Sequence, residues 1–85
     1  MFINEHGEDE YVYLSKATPF DVKIEKIDKG YKTKHYYIYF RNLGSENSVR
    51  IGIYKKREDA RADLQKFMTA FLDGNETVFT FKKEA

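Results

Sequence analysis

Phe20-Asp21-Val22-Lys23-Ile24-Glu25 is the stretch on which the fold turns. Apolar residues at 20, 22 and 24 alternate with charged ones at 21, 23 and 25, the period of a strand with one buried face. Asp28-Lys29-Gly30 comes next, and three-residue hairpin loops commonly place glycine third, where φ is positive. That loop sets Ile27 opposite Tyr31, Val22 opposite Tyr36 and Phe20 opposite Ile38. The next strand, Lys34 to Phe40, then sends Tyr36, Ile38 and Phe40 to the side of Phe20, Val22 and Ile24. A two-residue loop would slip the register by one and place Tyr37 and Tyr39 there instead. The first register buries the aliphatic residue and is preferred.

Outward from this hairpin the pattern continues. Arg41 to Asn47 reads as a second loop, after which Val49, Ile51 and Ile53 alternate with Arg50, Gly52 and Tyr54. Pairing Arg41 with Ser48 sets Tyr39 opposite Arg50, Tyr37 over the bare Gly52, and His35 opposite Tyr54. From about Lys56 to Leu72 the period becomes helical, with Ala60, Leu64, Phe67, Met68, Phe71 and Leu72 on one stripe. Gly74, within Asp73-Gly74-Asn75, suits the left-handed position that ends a helix. Thr77, Phe79 and Phe81 alternate with Val78 and Thr80 in a last strand. On the other side, Ser15 to Pro19 is a turn region and Tyr11-Val12-Tyr13-Leu14 a short strand. Residues 4–10, acidic and polar, read as a loop or flexible lead. The expectation is an α+β domain spanning 1–85, with an antiparallel sheet of four to five strands and one helix packed on one face. Its order is β-β-β-β-α-β, and its expected core unites Phe20, Val22, Tyr36, Ile38, Val49, Ile51, Leu64, Phe67 and Phe71.

Composition limits the function. Fifteen basic residues face fourteen acidic ones, for a net charge of +1, a balance that argues against a dedicated polyanion binder. Aromatic residues make up 16% of the chain, all Tyr and Phe, and must fill a core, cover a sheet or meet a partner. No cysteine is present, so thiolate metal sites, disulfides and thiol nucleophiles are excluded. The N-terminus lacks the basic start and apolar stretch of a signal peptide, and no run approaches the roughly 20 apolar residues of a membrane helix. A cytoplasmic protein without membrane contact is expected.

No nucleophile elbow, P-loop, dinucleotide fingerprint or zinc-protease motif occurs. The chain is therefore read as a non-enzyme without cofactor. His6-Gly7-Glu8-Asp9-Glu10 holds residue types that bind metal, but reads as a solvated acidic loop because nothing supplies a rigid shell. The sheet face turned from the helix is more informative. It should carry Lys23, His35, Tyr37, Tyr39, Arg50, Gly52 and Tyr54, and one helix cannot cover two faces. Beside it, Lys55, Lys56 and Arg57 crowd the helix start, where the dipole prefers anions, although Glu58 and Asp59 offset them. The outer helix face of Glu58, Arg61, Asp63, Gln65, Lys66 and Thr69 has mixed signs and reads as a solvated surface.

Two functions fit this pattern. The first is an interaction module docking a protein partner, or a second copy of itself, through Tyr37, Tyr39, Arg50 and Tyr54 or through an unpaired edge strand. The second is a single-strand nucleic-acid binder that stacks bases on the same tyrosines and holds phosphates with Lys55, Lys56 and Arg57.

Overall fold

A computed structural model describes residues 1–17, 19–29, 33–43, 48–74 and 77–84. The order of elements is β1 (Phe2–Glu5), β2 (Val12–Tyr13), β3 (Phe20–Lys29), β4 (Thr33–Asn42), β5 (Ser48–Tyr54), α1 (Arg57–Asp73) and β6 (Val78–Phe81). The class is α+β, as the periodicities indicate. The sheet is divided, however: β3-β4-β5 form one three-stranded sheet and β2-β1-β6 another.

The second sheet corrects the reading of the N-terminus. Phe2–Glu5 is its central strand, so Asn4 and Glu5 belong to a strand and not to a lead. Strand β1 runs parallel to β6, with Ile3 beside Phe79 and Asn4 beside Thr80, so the protein is not wholly antiparallel either. The Thr80 hydroxyl donates to Asn4 Oδ1 at 2.7 Å, which lets a polar residue sit buried in this strand. The helix explains the direction of β6. It carries the chain back along the sheet from β5, and a strand, crossover helix and strand leave β6 parallel to β5, as the Ile53–Lys83 bridge shows. The sheets meet where this crossover closes: the Ile53 amide donates to Lys82 O at 2.9 Å, and the Glu84 amide to Ile53 O at 2.7 Å.

In the first sheet the alternation of 20 to 25 is decisive, as expected, but the hairpin is longer. Lys29 pairs with Thr33, so Val22 faces Phe40 instead of Tyr36, and Phe20 faces Asn42 instead of Ile38. The displacement is an even number of residues, and an even slip leaves every side chain on its original face. Phe20, Val22, Ile24, Tyr36, Ile38 and Phe40 therefore still face the helix. Gly30, expected at positive φ, lies outside the described residues.

The second hairpin begins in the expected register, with Arg41 opposite Ser48, Tyr39 opposite Arg50 and Ile38 opposite Ile51. It then shifts, and Tyr36 pairs with Tyr54. Gly52 and Ile53 together oppose Tyr37, a β-bulge with Gly52 at φ 79°. The extra residue rotates the remainder of the strand, so Tyr54 points into the core and not to the outer face. His35 lies opposite Ile27 on β3. The ring beside Gly52 is that of Tyr54: a Cβ there would lie 2.7 Å from Tyr54 Cε2.

Helix α1 ends as its sequence indicates. Gly74 adopts φ 71°, and its amide donates to Ala70 O at 3.1 Å. The last turn holds no basic residue, and Lys16 supplies the missing charge by donating from Nζ to Leu72 O at 3.3 Å. The buried stripe is Ala60, Asp63, Phe67 and Phe71, flanked by half-buried Leu64 and Met68. Leu72, placed on that stripe by its apolar character, is 71% exposed. At about 100° per residue it lies about 120° round the helix from Ala60, outside the packed face.

Of the nine residues expected in the core, Ile38, Ile51, Phe67 and Phe71 are buried in one cluster, and Phe20, Val22, Tyr36, Val49 and Leu64 are partly buried against it. Its fully buried members also include Ile3, Phe40, Tyr54, Ala60 and Phe81. The helix thus packs against three strands of one sheet and β6 of the other.

Candidate functional site

Strands β3, β4 and β5 present their outer face through Asp21, Lys23 and Glu25, through Tyr37, Tyr39 and Arg41, and through Arg50. Tyr37 and Tyr39 are half-buried, and Arg50 is exposed. Charges surround the rings in matched sets. Arg41 Nη2 donates to Asp21 Oδ2 at 2.8 Å. Arg50 donates to both oxygens of Glu25, from Nη2 at 3.1 Å and from Nε at 3.4 Å. The Lys23 ammonium lies 4.8 Å from the centre of the Tyr39 ring, within cation–π range. Exposed pairs of this kind stabilise a fold by about 1 kcal/mol or less. Their consequence here is that, among the described side chains of this face, Lys23, Arg41 and Arg50 each have a partner.

Not all the expected site residues come together. Tyr37, Tyr39 and Arg50 share the outer face. Lys55, Lys56 and Arg57 are exposed, but they join β5 to a helix packed on the opposite face. Arg57 there covers the ring of Tyr36, 5.5 Å from its centre, on the helix side of the sheet. Lys56 is the N-cap residue, extended and without a side-chain capping bond. Tyr54 leaves the group altogether. It is fully buried, and its hydroxyl donates to Asp63 Oδ2 at 2.6 Å.

This contact explains why Asp63 lies in the core and not on the outer helix face. The same oxygen accepts the Lys82 amide at 3.1 Å, so the carboxylate ties β5, α1 and the end of β6 together. Burial pushes the Tyr54 phenol far above its ordinary range, and the hydrogen bond to the Asp63 carboxylate and its charge push the same way. A phenol that holds its proton more tightly when folded contributes stability in full below about pH 10, where the unfolded phenol ionises. That contribution falls as pH rises further. Between pH 9 and pH 11 the native chain should therefore lose about 1.4 kcal/mol more stability than Tyr54→Phe. Urea denaturation of both chains at the two pH values measures this, and equal losses would refute it.

A second exposed surface escapes the sequence pattern. Tyr13, Phe2 and Val78 lie side by side across β2, β1 and β6 and are 60%, 44% and 42% exposed. The Phe2 and Tyr13 ring centres are 5.1 Å apart. Alternation in Met1-Phe2-Ile3-Asn4 is the only available signal, and three or four residues are too few to establish a period. Beside this row lies a cleft of about 580 Å³, lined by Phe2, Tyr13, Leu14, Lys16 and Phe71 among others. Its lysine is already bonded to the helix end, and Ser15 Oγ accepts its local Ala17 amide at 3.1 Å.

The acidic segment also has a structural partner. Lys83 Nζ donates to Glu8 Oε1 at 2.5 Å. That hydrogen bond, and then the charge of Lys83, hold the Glu8 carboxyl below its ordinary range. Among the described residues no group of three or more His, Asp or Glu could hold a metal ion, and no helix is long and apolar enough to cross a membrane.

Comparison of the chain with protein-family models, with curated proteins and with solved structures gives no match in any of the three.

Proposed function

We propose that the protein is a non-enzymatic interaction module that docks a protein partner on the outer face of β3, β4 and β5, with Tyr37 and Tyr39 at its centre. The observation that carries this reading is the pairing of charge around the rings. Lys23, Arg41 and Arg50 are engaged by Tyr39, Asp21 and Glu25. A nucleic-acid site draws its affinity from cations left for phosphates. A protein-docking face gains from aromatic anchors in a fixed polar surround. The separation of Lys55, Lys56 and Arg57 from Tyr37 and Tyr39 favours the same choice, since stacked bases and bound phosphates lie along one groove.

Truncating the anchors tests the proposal. The double change Tyr37→Ala and Tyr39→Ala should abolish retention of a bound protein in a pull-down, each ring contributing about 2 kcal/mol or more if it anchors the interface. Replacing Lys55 and Lys56 by Glu should leave retention intact. A parallel titration with fluorescent single-stranded oligonucleotides at low and high salt should find no binding tighter than about millimolar. Tight, salt-sensitive oligonucleotide binding that fails in both variants would overturn the proposal in favour of the nucleic-acid reading.

A further inference from the structure

Strand β3 is an end strand of its sheet, paired with β4 along one side and with no described strand along the other. Over Phe20–Lys29 its pairing with β4 runs without a bulge, and the strand contains no proline. Natural edges are commonly shortened, bulged or interrupted to prevent pairing with another chain. This one is long, regular and half-apolar, with Val22 and Ile24 half-buried on its helix side.

We propose that β3 pairs antiparallel with β3 of a second copy, about a two-fold axis through Ile24, joining two three-stranded sheets into one. Charge and the length of strand paired together select this register. Centred on Ile24, each Lys23 lies opposite a Glu25 and the two Ile24 side chains meet on the helix side. Centred on Lys23, like charges meet, with Lys23 opposite itself and Asp21 opposite Glu25. Centred on Glu25, that carboxylate opposes its own copy. A register centred on Val22 matches Asp21 with Lys23, and one centred on Ile27 matches Glu25 with Lys29 and Lys26 with Asp28, but these pair only 20–24 and 25–29, against 20–28 for the proposed one. Directly opposed residues in antiparallel strands have Cβ atoms about 5 Å apart, where opposite charges attract and like charges repel. Glu25 retains capacity for a second cation, because a carboxylate offers about four acceptor positions and Arg50 occupies two. The pairing deepens the docking reading by naming a second copy as one occupant of the sheet. It uses the edge and not the rings, so either proposal can fail alone.

Charge reversal supplies the test. In sedimentation equilibrium at low salt, the unaltered chain should show a concentration-dependent dimer. Lys23→Glu and Glu25→Lys should each weaken it about ten-fold or more, because both symmetric pairs become repulsive. An equimolar mixture of the two variants should restore association, since one chain then presents two carboxylates and the other two ammonium groups. Tyr37→Ala with Tyr39→Ala should leave the dimer intact. A chain that stays monomeric at millimolar concentration, or variants that associate as the native chain does, would overturn the proposal. So would dissociation by only one of the two variants: Lys23→Glu alone is the mark of the Val22-centred register, and Glu25→Lys alone of the Ile27-centred one. Circular dichroism checks that each variant folds. Should either unfold, amide exchange on the unaltered chain reads the same contact: protection over 20–28 must rise with protein concentration, and its independence of concentration also sinks the proposal.

Discussion

Phe67→Ala should lower the free energy of unfolding by about 3–5 kcal/mol, the cost of deleting a fully buried aromatic side chain and leaving a cavity. Phe67 has no exposed surface. Its ring lies 5.3 Å from Phe40, 5.6 Å from Phe71, 5.7 Å from Phe79 and 5.5 Å from Phe81, centre to centre. It is therefore the point at which the helix, β4 and β6 converge, and these neighbours cannot all close on the space it leaves. Small domains have a total stability of about 5–15 kcal/mol, so the variant should be partly unfolded at elevated temperature. The drop in urea midpoint measures the effect. A loss below about 1 kcal/mol would show that the two sheets do not share this core.

Gly52→Ala should cost roughly 2–5 kcal/mol, a large effect for adding one methyl group. Two causes combine. At φ 79° an L residue meets its own carbonyl, a strain of about 1–2 kcal/mol. The new Cβ would also lie 2.7 Å from Cε2, 2.9 Å from Oη and 3.1 Å from Cζ of Tyr54. That ring cannot swing away, because it is buried and its hydroxyl is held by Asp63. The causes separate in a double-mutant cycle. In a Tyr54→Leu background the clash is relieved, and Gly52→Ala should cost only the conformational part, about 1–2 kcal/mol. Equal costs in both backgrounds, measured by chemical denaturation, would show that backbone strain alone makes glycine necessary here.

Gly52 also marks where local pattern stops being sufficient. Alternation from Val49 to Tyr54 is unbroken in the sequence, and unbroken alternation puts Arg50, Gly52 and Tyr54 on one face. A bulge adds one residue without changing residue types, so hydrophobic pattern cannot locate it. A strand glycine is the available hint, and it is equally consistent with cover by a ring across the strand. The consequence reaches the candidate site: alternation groups Tyr54 with Tyr37 and Tyr39, whereas its ring serves the core. Asp63 departs from its expected place for a related reason, since a carboxylate is normally solvated unless a distant donor receives it. Its donors come from Tyr54 and the Lys82 amide, neither of them a helix neighbour.

By itself the sequence determined the strands of the central hairpin, the face each presents, the span of the helix and its glycine stop. All of these arise from spacing among near neighbours and from the conformational range of single residues. Even the displaced hairpin register leaves the faces correct, because the slip is even. The tertiary structure decided which strands meet. Phe2–Glu5 became the centre of a second sheet only through pairing with β6, a contact that joins Asn4 to Thr80 across nearly the whole chain. It also decided that Tyr54 and Asp63 are buried together while Leu72 is left outside. These outcomes depend on how the helix closes over both sheets, and a sum over distant surfaces leaves no period in the sequence from which it can be read.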